Sequence, residues 1–240
     1  MKLSVVVPCY NEEQRLPRTI ELIERYLDAR AEPYELILVD DGSADGTQRV
    51  MDEAASRHDS IRVVALPGNR GKGRALAEGV MVSRGDAVLV TDADLSTPID
   101  ELPKLEAAVQ AGAGVAIASR AIKGSRVELA QPAYRVVMGK VFNLIVQAVL
   151  LPGIWDTQCG FKLFRGDVAR DVFARLTTDG FGYDPEVLYL AKKRGLRIAE
   201  VPVVWRNSAP TKVMAVRSSM DMFRHVVGVR FGRRAPATRT

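Results

Sequence analysis

The feature that most constrains this chain is the alternation of two hydrophobic periods over roughly its first 120 residues. Short, almost uninterrupted apolar runs rich in β-branched residues are typical of strands covered on both faces. Five such runs occur, at residues 3–7, 35–39, 61–65, 87–90 and 115–118. The segments between them have helical spacing, as with Leu16, Ile20, Ile23 and Leu27. Strands that alternate with helices predict right-handed crossovers and a parallel sheet.

The predicted fold is therefore α/β, with a mostly parallel central sheet flanked by helices. A chain of 240 residues is long enough to bury one sizeable core. Neither an internal repeat nor a low-complexity linker divides it. We predict a single domain at residues 1–215, followed at residues 216–240 by a basic amphipathic segment and a flexible tail.

The charge balance indicates an anionic partner. A net charge of +5 suits a nucleotide, a phospholipid surface or a nucleic acid equally well. Nucleic acid is disfavoured, since only 6% of residues are aromatic and no RNA-binding or zinc-finger pattern occurs. Two distant cysteines and two histidines form neither a disulfide framework nor a zinc site. The apolar run at 3–7 is too short for a signal peptide, and no run of about 18 apolar residues predicts a membrane span.

Three of the predicted strands lead directly into polar clusters that are rich in carboxylates. The first strand is followed by Glu12, the second by Asp40 and Asp41, and the fourth by Asp92 and Asp94. Ligands of open α/β sheets bind beyond the carboxyl ends of the strands, so these acidic residues are expected to converge. Their convergence predicts the functional site.

Asp92 and Asp94 are the predicted metal ligands. Two carboxylates at i and i+2 after a buried strand repel one another unless a cation offsets the repulsion. Mg²⁺ binds through one or two carboxylates together with phosphate oxygens, and Mn²⁺ is the other candidate. A solvated turn or a helix cap before Pro98 is the alternative explanation for an isolated pair.

A basic glycine-rich loop at residues 68–74 leads into a predicted helix. Its glycines permit close approach to a phosphate, and its cations and the helix N-terminus favour an anion. It matches neither the P-loop nor the dinucleotide fingerprint, and a plain surface loop is the alternative. Tyr10 can stack on a base, and Asp40 or Asp41 can accept from a base or ribose. A tight turn at residues 41–43 is compatible with both roles.

Taken together, these motifs resemble the inverting family 2 glycosyltransferases of GT-A fold, which have a Rossmann-like sheet. Within that family the chain is most similar to the dolichyl-phosphate glucosyltransferases and other polyprenyl-phosphate glycosyltransferases. The superfamily resemblance rests on residues 7–12, 39–43, 69–73 and 91–96. The lipid-phosphate branch is indicated by residues 156–164, 184–186 and 200–205. The resemblance makes residues 1–215 the catalytic domain.

The resemblance also implies roles for individual residues. The nucleotide would be held by Pro8, Tyr10, Glu12, Asp40, Asp41, Lys72 and Asp92. The acceptor and the phosphates would be held by Arg120, Arg135, Gln158 and Lys212. Asp94, Asp184, Arg120 and Arg135 are the candidate catalytic residues. The chain departs from the family pattern at Ala118, where glycine is usual, and at Pro185, inside the second acidic pair.

The reaction expected from the resemblance is metal-dependent transfer of a hexose, with inversion, from UDP-glucose to a polyprenyl or dolichyl phosphate. GDP-mannose as donor, a soluble hydroxyl acceptor, and a non-catalytic nucleotide-sugar binder are the alternatives. A hydroxyl acceptor needs a general base, for which Asp184 is the candidate, although capping at a helix start is the more frequent explanation of such an acidic pair. A phosphate acceptor is already anionic, so the arginines and lysines matter more.

The apolar segment at residues 141–151 has two interpretations. As a helix beside the basic residues 224–234 it can lie in a membrane interface, and as a core helix it packs inside the domain. The first interpretation predicts a cytoplasmic protein held peripherally at the cytoplasmic face of the membrane. Assembly as a homo-oligomer stays open.

Overall fold

The computed structural model describes residues 2–129, 133–206, 226 and 228–230. Lys212 and most of residues 216–240 lie outside this part of the chain, and so does the side chain of Arg135. The roles predicted for Lys212 and Arg135, and the domain boundary at residue 215, therefore stay predictions.

Nine strands and seven α-helices occur within the described residues. The strands are β1 Leu3–Cys9, β2 Tyr34–Asp40, β3 Ile61–Ala65, β4 Ala87–Val90, β5 Val115–Ser119, β6 Arg126–Leu129, β7 Lys162–Arg165, β8 Ile198–Pro202 and β9 Val204–Arg206. The helices are α1 Leu16–Ala29, α2 Thr47–Arg57, α3 Lys72–Met81, α4 Leu102–Gln110, α5 Ala133–Val149, α6 Gly166–Ala174 and α7 Tyr183–Lys193. A short 3₁₀ turn, Ile99–Glu101, precedes α4.

Seven strands form one sheet in the order β3-β2-β1-β4-β7-β5-β8. Neighbouring strands are parallel except at β7, which runs antiparallel to both β4 and β5. A second, two-stranded sheet pairs β6 with β9. All five strands predicted from the sequence are present, and the prediction of a mostly parallel α/β fold is confirmed.

The apolar runs are uninterrupted because both faces of the sheet are covered. On β1, Val5 and Val7 join a core cluster with α1, α2 and α4. Val6 points the other way, into a second cluster with α3, α5, α6 and α7. All three valines are fully buried, and burying such a side chain contributes about 1.5–3 kcal/mol.

The order of the strands determines where ligands can bind. From β1 the chain builds outward through β2 and β3 on one side, and then returns to place β4 on the other. Such a switch point opens a crevice at the carboxyl ends of the central strands. Because β7 is antiparallel, its first residue, Lys162, lies at this same edge, opposite Val90 of β4 and Ile117 of β5.

The helix α5, which contains most of the apolar segment, has one buried and one exposed face, and its contact with a membrane stays a prediction. One face is buried in the core, through Phe142, Val146 and the following Leu150. The opposite face is exposed, with Leu144 at 68%. In the part of the chain that the structure describes, no helix is both long and apolar enough to cross a bilayer.

Candidate active site

The carboxyl ends of β1, β2 and β4 open into a cleft of about 390 Å³. Seven of the residues predicted to bind the donor line it, namely Pro8, Tyr10, Glu12, Asp41, Lys72, Asp92 and Asp94. Phe181, on the loop before α7, lines the cleft as well and was not predicted. The sequence-based expectation that the strand ends converge is therefore confirmed in space.

Lys72, the first residue of α3, is ion-paired with Asp92. Its ammonium donates to Asp92 Oδ1, and the lysine side chain is 19% exposed. Although desolvation opposes charge on both groups, the attraction raises the pKa of Lys72 and lowers that of Asp92. Lys162 and Arg120 lower the pKa of Asp92 further. Asp92 is thus held ionised in a field of cations.

Asp94 differs from Asp92 in its partners. Its carboxylate accepts a hydrogen bond from the backbone N–H of Ser96 at 2.9 Å. Desolvation and the neighbouring charge of Asp92 raise the pKa of Asp94. An additional cation between the two carboxylates would relieve this repulsion.

The two carboxylates suit a divalent metal that takes its other ligands from a diphosphate. Their oxygens are the hard donors that Mg²⁺ and Mn²⁺ prefer, and the Lys72 ammonium already acts as a cation on Asp92. Among the described residues there is no group of three or more His, Cys, Asp or Glu side chains arranged for a metal. Phosphate oxygens and water would therefore complete the coordination.

Asp40 and Asp41 follow β2 but do different things. Asp40 closes a turn by accepting the backbone N–H of Ser43 at 3.1 Å, and its role in nucleotide binding stays a prediction. Asp41 accepts the backbone N–H groups of Arg70 and Gly71 at 2.7 and 2.9 Å. Burial raises the pKa of Asp41. The carboxylate of Asp41 therefore fixes the basic loop against the cleft.

Gly42, between these aspartates and the basic loop, has a left-handed backbone with φ of +70°. A Cβ at this position would lie 2.4 Å from the carbonyl carbon of Gly68. The turn can therefore pack against the basic loop only with glycine here.

The side chain of Tyr10 is 41% exposed and lines the cleft, and its stacking on a base stays a prediction. Glu12 forms an ion pair with Arg15 at 3.4 Å, and its backbone N–H donates to Thr47 Oγ1 at 2.7 Å. The segment after β1 is thereby tied to the start of α2. The roles predicted for Pro8, Tyr10 and Glu12 in nucleotide binding stay predictions.

Arg120, after β5, is clamped by Asp156. Its Nε and Nη2 atoms donate to the two carboxylate oxygens at 2.7 and 2.8 Å, and its backbone N–H donates at 2.8 Å. Despite burial, this contact lowers the pKa of Asp156. Glu200 in turn accepts the backbone N–H of Asp156 at 3.0 Å. The guanidinium lies 5.3 Å from the ring centroid of Trp205.

The segment after Asp156 packs against the carboxylate of Asp92. Gln158 is half-buried, and Cys159 is buried beside Thr97, with 3.4 Å between Sγ and Oγ1. A Cβ on Gly160 would lie 2.0 Å from Asp92 Oδ2. This segment carries part of the family resemblance, but no role for Gly160 was predicted from the sequence.

Lys162 is a further residue for which no role was predicted from the sequence. It is fully buried, and its ammonium donates to the Cys159 carbonyl at 2.6 Å and to Asp184 Oδ1. A lysine inside an apolar strand sequence was the signal that could have identified it, since buried charges need partners.

Asp184 lies in the first turn of α7 and is 5% exposed, engaged by Lys162 behind the cleft. It does not cap the helix. Glu186, the other member of the acidic pair, accepts the backbone N–H groups of Thr177 and Thr178 at 2.9 and 3.0 Å. Glu186 therefore ties down the preceding loop. The predicted role of Asp184 as a general base for a hydroxyl acceptor stays a prediction.

Comparison with known proteins agrees with the site. The sequence model described as "Glycosyl transferase family 2" matches residues 4–173. A dolichyl-phosphate β-glucosyltransferase of Dictyostelium discoideum is 35% identical, over 95% of this chain and 74% of its own. The Homo sapiens dolichyl-phosphate β-glucosyltransferase is 36% identical, over 95% of this chain and 75% of its own.

Solved structures resemble the fold as well. Glucosyl-3-phosphoglycerate synthase from Mycobacterium tuberculosis, crystallised with Mn²⁺ and UDP-glucose, aligns with a TM-score of 0.69. The alignment covers 97% of this chain and 79% of that chain, at 22% identity. At this identity the likeness establishes the fold alone.

Proposed function

Because this chain belongs to glycosyl transferase family 2 and is a glycosyltransferase, we propose that it transfers glucose from UDP-glucose to dolichyl or another polyprenyl phosphate. One observation supports this above all. The pair Asp92 and Asp94 meets Lys72 in one cleft, with the Arg120–Asp156 ion pair beside it. Carboxylates for a metal and cations for phosphates are the components that a sugar diphosphate and a lipid phosphate require.

The donor half of the site consists of the carboxylate pair, the basic loop and Tyr10. Asp92 and Asp94 would hold a divalent metal, which would neutralise the charge that grows on the departing diphosphate. Lys72 is partly exposed and can turn from Asp92 to a phosphate oxygen when the donor binds. Tyr10 and Asp41 are the proposed contacts to the base and ribose.

In the proposed reaction, an acceptor phosphate oxygen attacks the anomeric carbon as the bond from that carbon to the UDP oxygen breaks. The configuration of the carbon is inverted. A phosphate monoester has a second pKa near about 6, so at pH 7 it is already anionic and needs no general base. The engagement of Asp184 by Lys162 is consistent with such an acceptor. Arg120 is the described cation proposed to position the phosphate.

The purified protein is expected to transfer radiolabelled glucose from UDP-glucose to a short polyprenyl phosphate in the presence of Mn²⁺ or Mg²⁺. Excess EDTA is expected to remove this activity, because the carboxylate pair alone offers the diphosphate no counter-charge. Partition of the label into organic solvent measures the transfer. Faster transfer from GDP-mannose than from UDP-glucose would mean that GDP-mannose is the donor. Binding of UDP without transfer would favour a non-catalytic nucleotide-sugar binding protein.

We also propose that the protein binds peripherally to the cytoplasmic face of a membrane through α5. The exposed face of the helix carries Tyr134, Val137, Val141 and Leu144, each more than half exposed. These positions follow the i, i+3, i+7, i+10 spacing of one helix face. Aromatic and aliphatic side chains on such a face suit the boundary between headgroups and acyl chains.

Another side of α5 contacts the loop that leads to the proposed acceptor site. Asn143 on α5 donates to the backbone carbonyl of Trp155 at 2.6 Å, and the indole of Trp155 is 56% exposed. The next residue, Asp156, holds Arg120. We propose that the phosphate of a lipid held at α5 reaches Arg120 across this loop.

Replacing Val141 and Leu144 together with serine is expected to weaken binding to anionic liposomes by about tenfold or more, because apolar area that would enter the bilayer is removed. Flotation in low salt measures the bound fraction. Met81→Ser is the matched control, since Met81 is exposed on α3, away from this face. Equal flotation of wild type and the double variant would contradict this orientation.

A further inference from the structure

Lys162 is a fully buried ammonium at the edge of the sheet that carries the carboxylate pair. It has two acceptors, the carbonyl of Cys159 at 2.6 Å and the carboxylate of Asp184. Taking a lysine and an aspartate out of water carries a large desolvation cost for each ion. Apolar side chains of similar size often give equal or greater stability, so stability alone does not account for this pair.

The first acceptor of Lys162 connects it to the metal site. Cys159 precedes Gly160, and a Cβ on Gly160 would lie 2.0 Å from Asp92 Oδ2. The backbone at 159–160 is thus the surface against which the Asp92 carboxylate rests. By donating to the Cys159 carbonyl, the ammonium of Lys162 fixes the position and orientation of the backbone at residues 159–160.

The second acceptor keeps the ammonium in place. Asp184 is 5% exposed in the first turn of α7, while Lys162 belongs to β7. Their contact links a helix and a strand at the rear of the cleft. The preceding residue, Tyr183, is fully buried, and its ring centroid lies 5.9 Å from the Lys162 ammonium.

Lys72 and Lys162 differ in how far their side chains are exposed to solvent. The ammonium of Lys72 lies 5.6 Å from the centroid of the same Tyr183 ring and contacts Asp92 directly. Its side chain is 19% exposed, whereas that of Lys162 is entirely buried. Lys72 can move to a bound phosphate, but Lys162 has no path to solvent and stays with its two acceptors.

We propose that Lys162 and Asp184 are a positioning pair for the metal site. The ammonium anchors the Cys159 carbonyl and so holds Gly160 against Asp92, and Asp184 holds the ammonium. Neither residue exchanges a proton with the substrate. This inference rests on the proposed function only in assigning Asp92 to the metal of the donor.

The test compares Lys162→Met with the double variant Lys162→Met/Asp184→Leu. The single variant leaves a buried carboxylate without its counter-ion, and its Tm is expected to fall by about 10 °C. The double variant removes both charges, and its Tm is expected within a few degrees of wild type. Mn²⁺ binding in the presence of UDP, followed by electron paramagnetic resonance, measures the metal site independently of transfer.

In the double variant, Mn²⁺ affinity and kcat are each expected to fall about 10- to 100-fold, as on loss of residues that orient metal ligands. Glu35→Gln is the control, because Glu35 is a buried carboxylate near the opposite end of the strands, bonded to Ser4 Oγ. It is expected to lower the Tm without changing the affinity for Mn²⁺. If the double variant recovers both the Tm and the Mn²⁺ affinity of wild type, the pair is only structural and the inference is overturned.

Failure of the double variant to fold, or of the wild type to bind Mn²⁺, would each lead to a definite conclusion. If the double variant does not fold, Asp184→Asn replaces it, since the amide oxygen still accepts from Lys162 but lacks the charge that holds the ammonium. An affinity for Mn²⁺ about tenfold below wild type is then expected, and an unchanged affinity overturns the inference. Failure of the wild type itself to bind Mn²⁺ with UDP would instead contradict the proposed function.

Discussion

Asp94→Asn is expected to reduce metal-dependent transfer by about 1000-fold or more while leaving the fold as stable as wild type. Within the described residues, no lysine or arginine is hydrogen-bonded to Asp94, and its carboxylate accepts one backbone N–H, from Ser96. An amide oxygen can accept the same bond. Burial and the charge of Asp92 raise the pKa of Asp94, so neutralising it removes repulsion from the folded state. Initial rates and thermal unfolding measure the two effects separately.

Asp92→Asn provides the contrast. It leaves the mostly buried Lys72 ammonium without its carboxylate, so it is expected to lower both activity and Tm. Asp100→Asn, at an exposed carboxylate in the turn before α4, is the control and should change neither. Retention of metal-dependent transfer by Asp94→Asn would mean that the metal is held elsewhere.

Gly160→Ala is expected to lower kcat/KM by about 100-fold, because misplacing a reacting group by about 1 Å can cost that much. The new methyl group would lie 2.0 Å from Asp92 Oδ2 and 2.5 Å from its Cγ. The Asp92 carboxylate must therefore move, together with any metal bound to it. The ratio of kcat/KM for variant and wild type at saturating Mn²⁺ measures the loss.

The matched control for this substitution is Gly139→Ala, on α5. A Cβ there would meet nothing within 4 Å, so the same chemical change is made without a steric clash. It is expected to leave transfer unchanged and to add a few tenths to about 1 kcal/mol of stability, as alanine restricts the unfolded chain. Equal activity of both alanine variants would show that Asp92 tolerates displacement.

The sheet and the cleft could be predicted from the sequence because their signals are local. The strand β2 is buried on both faces over residues 36–39, so each of these residues is apolar, and the polar cluster begins where the strand ends. The binding edge then follows from the topology of any parallel sheet. Asp92, Asp94, Lys72 and Asp41 all belong to this predictable part.

The support behind the cleft could not be predicted because it depends on pairing across the chain. Lys162 meets Asp184 only because β7 inserts antiparallel between β4 and β5, and no local pattern specifies that insertion. The strands in the second half of the chain are also harder to recognise from the sequence. β8 contains Glu200, whose carboxylate holds the backbone of Asp156, so the strand lacks the continuous apolar run of the first half.

Asp92 and Asp94 are proposed to hold a divalent metal on the diphosphate of the donor. Electron paramagnetic resonance of Mn²⁺, titrated into wild type and Asp94→Asn with and without UDP, tests it most directly. Wild type is expected to bind Mn²⁺ tightly only when UDP is present, since phosphate oxygens must complete the coordination, and Asp94→Asn is expected to lose this binding. Tight, UDP-dependent binding of Mn²⁺ by Asp94→Asn, at the affinity of wild type, would contradict the claim.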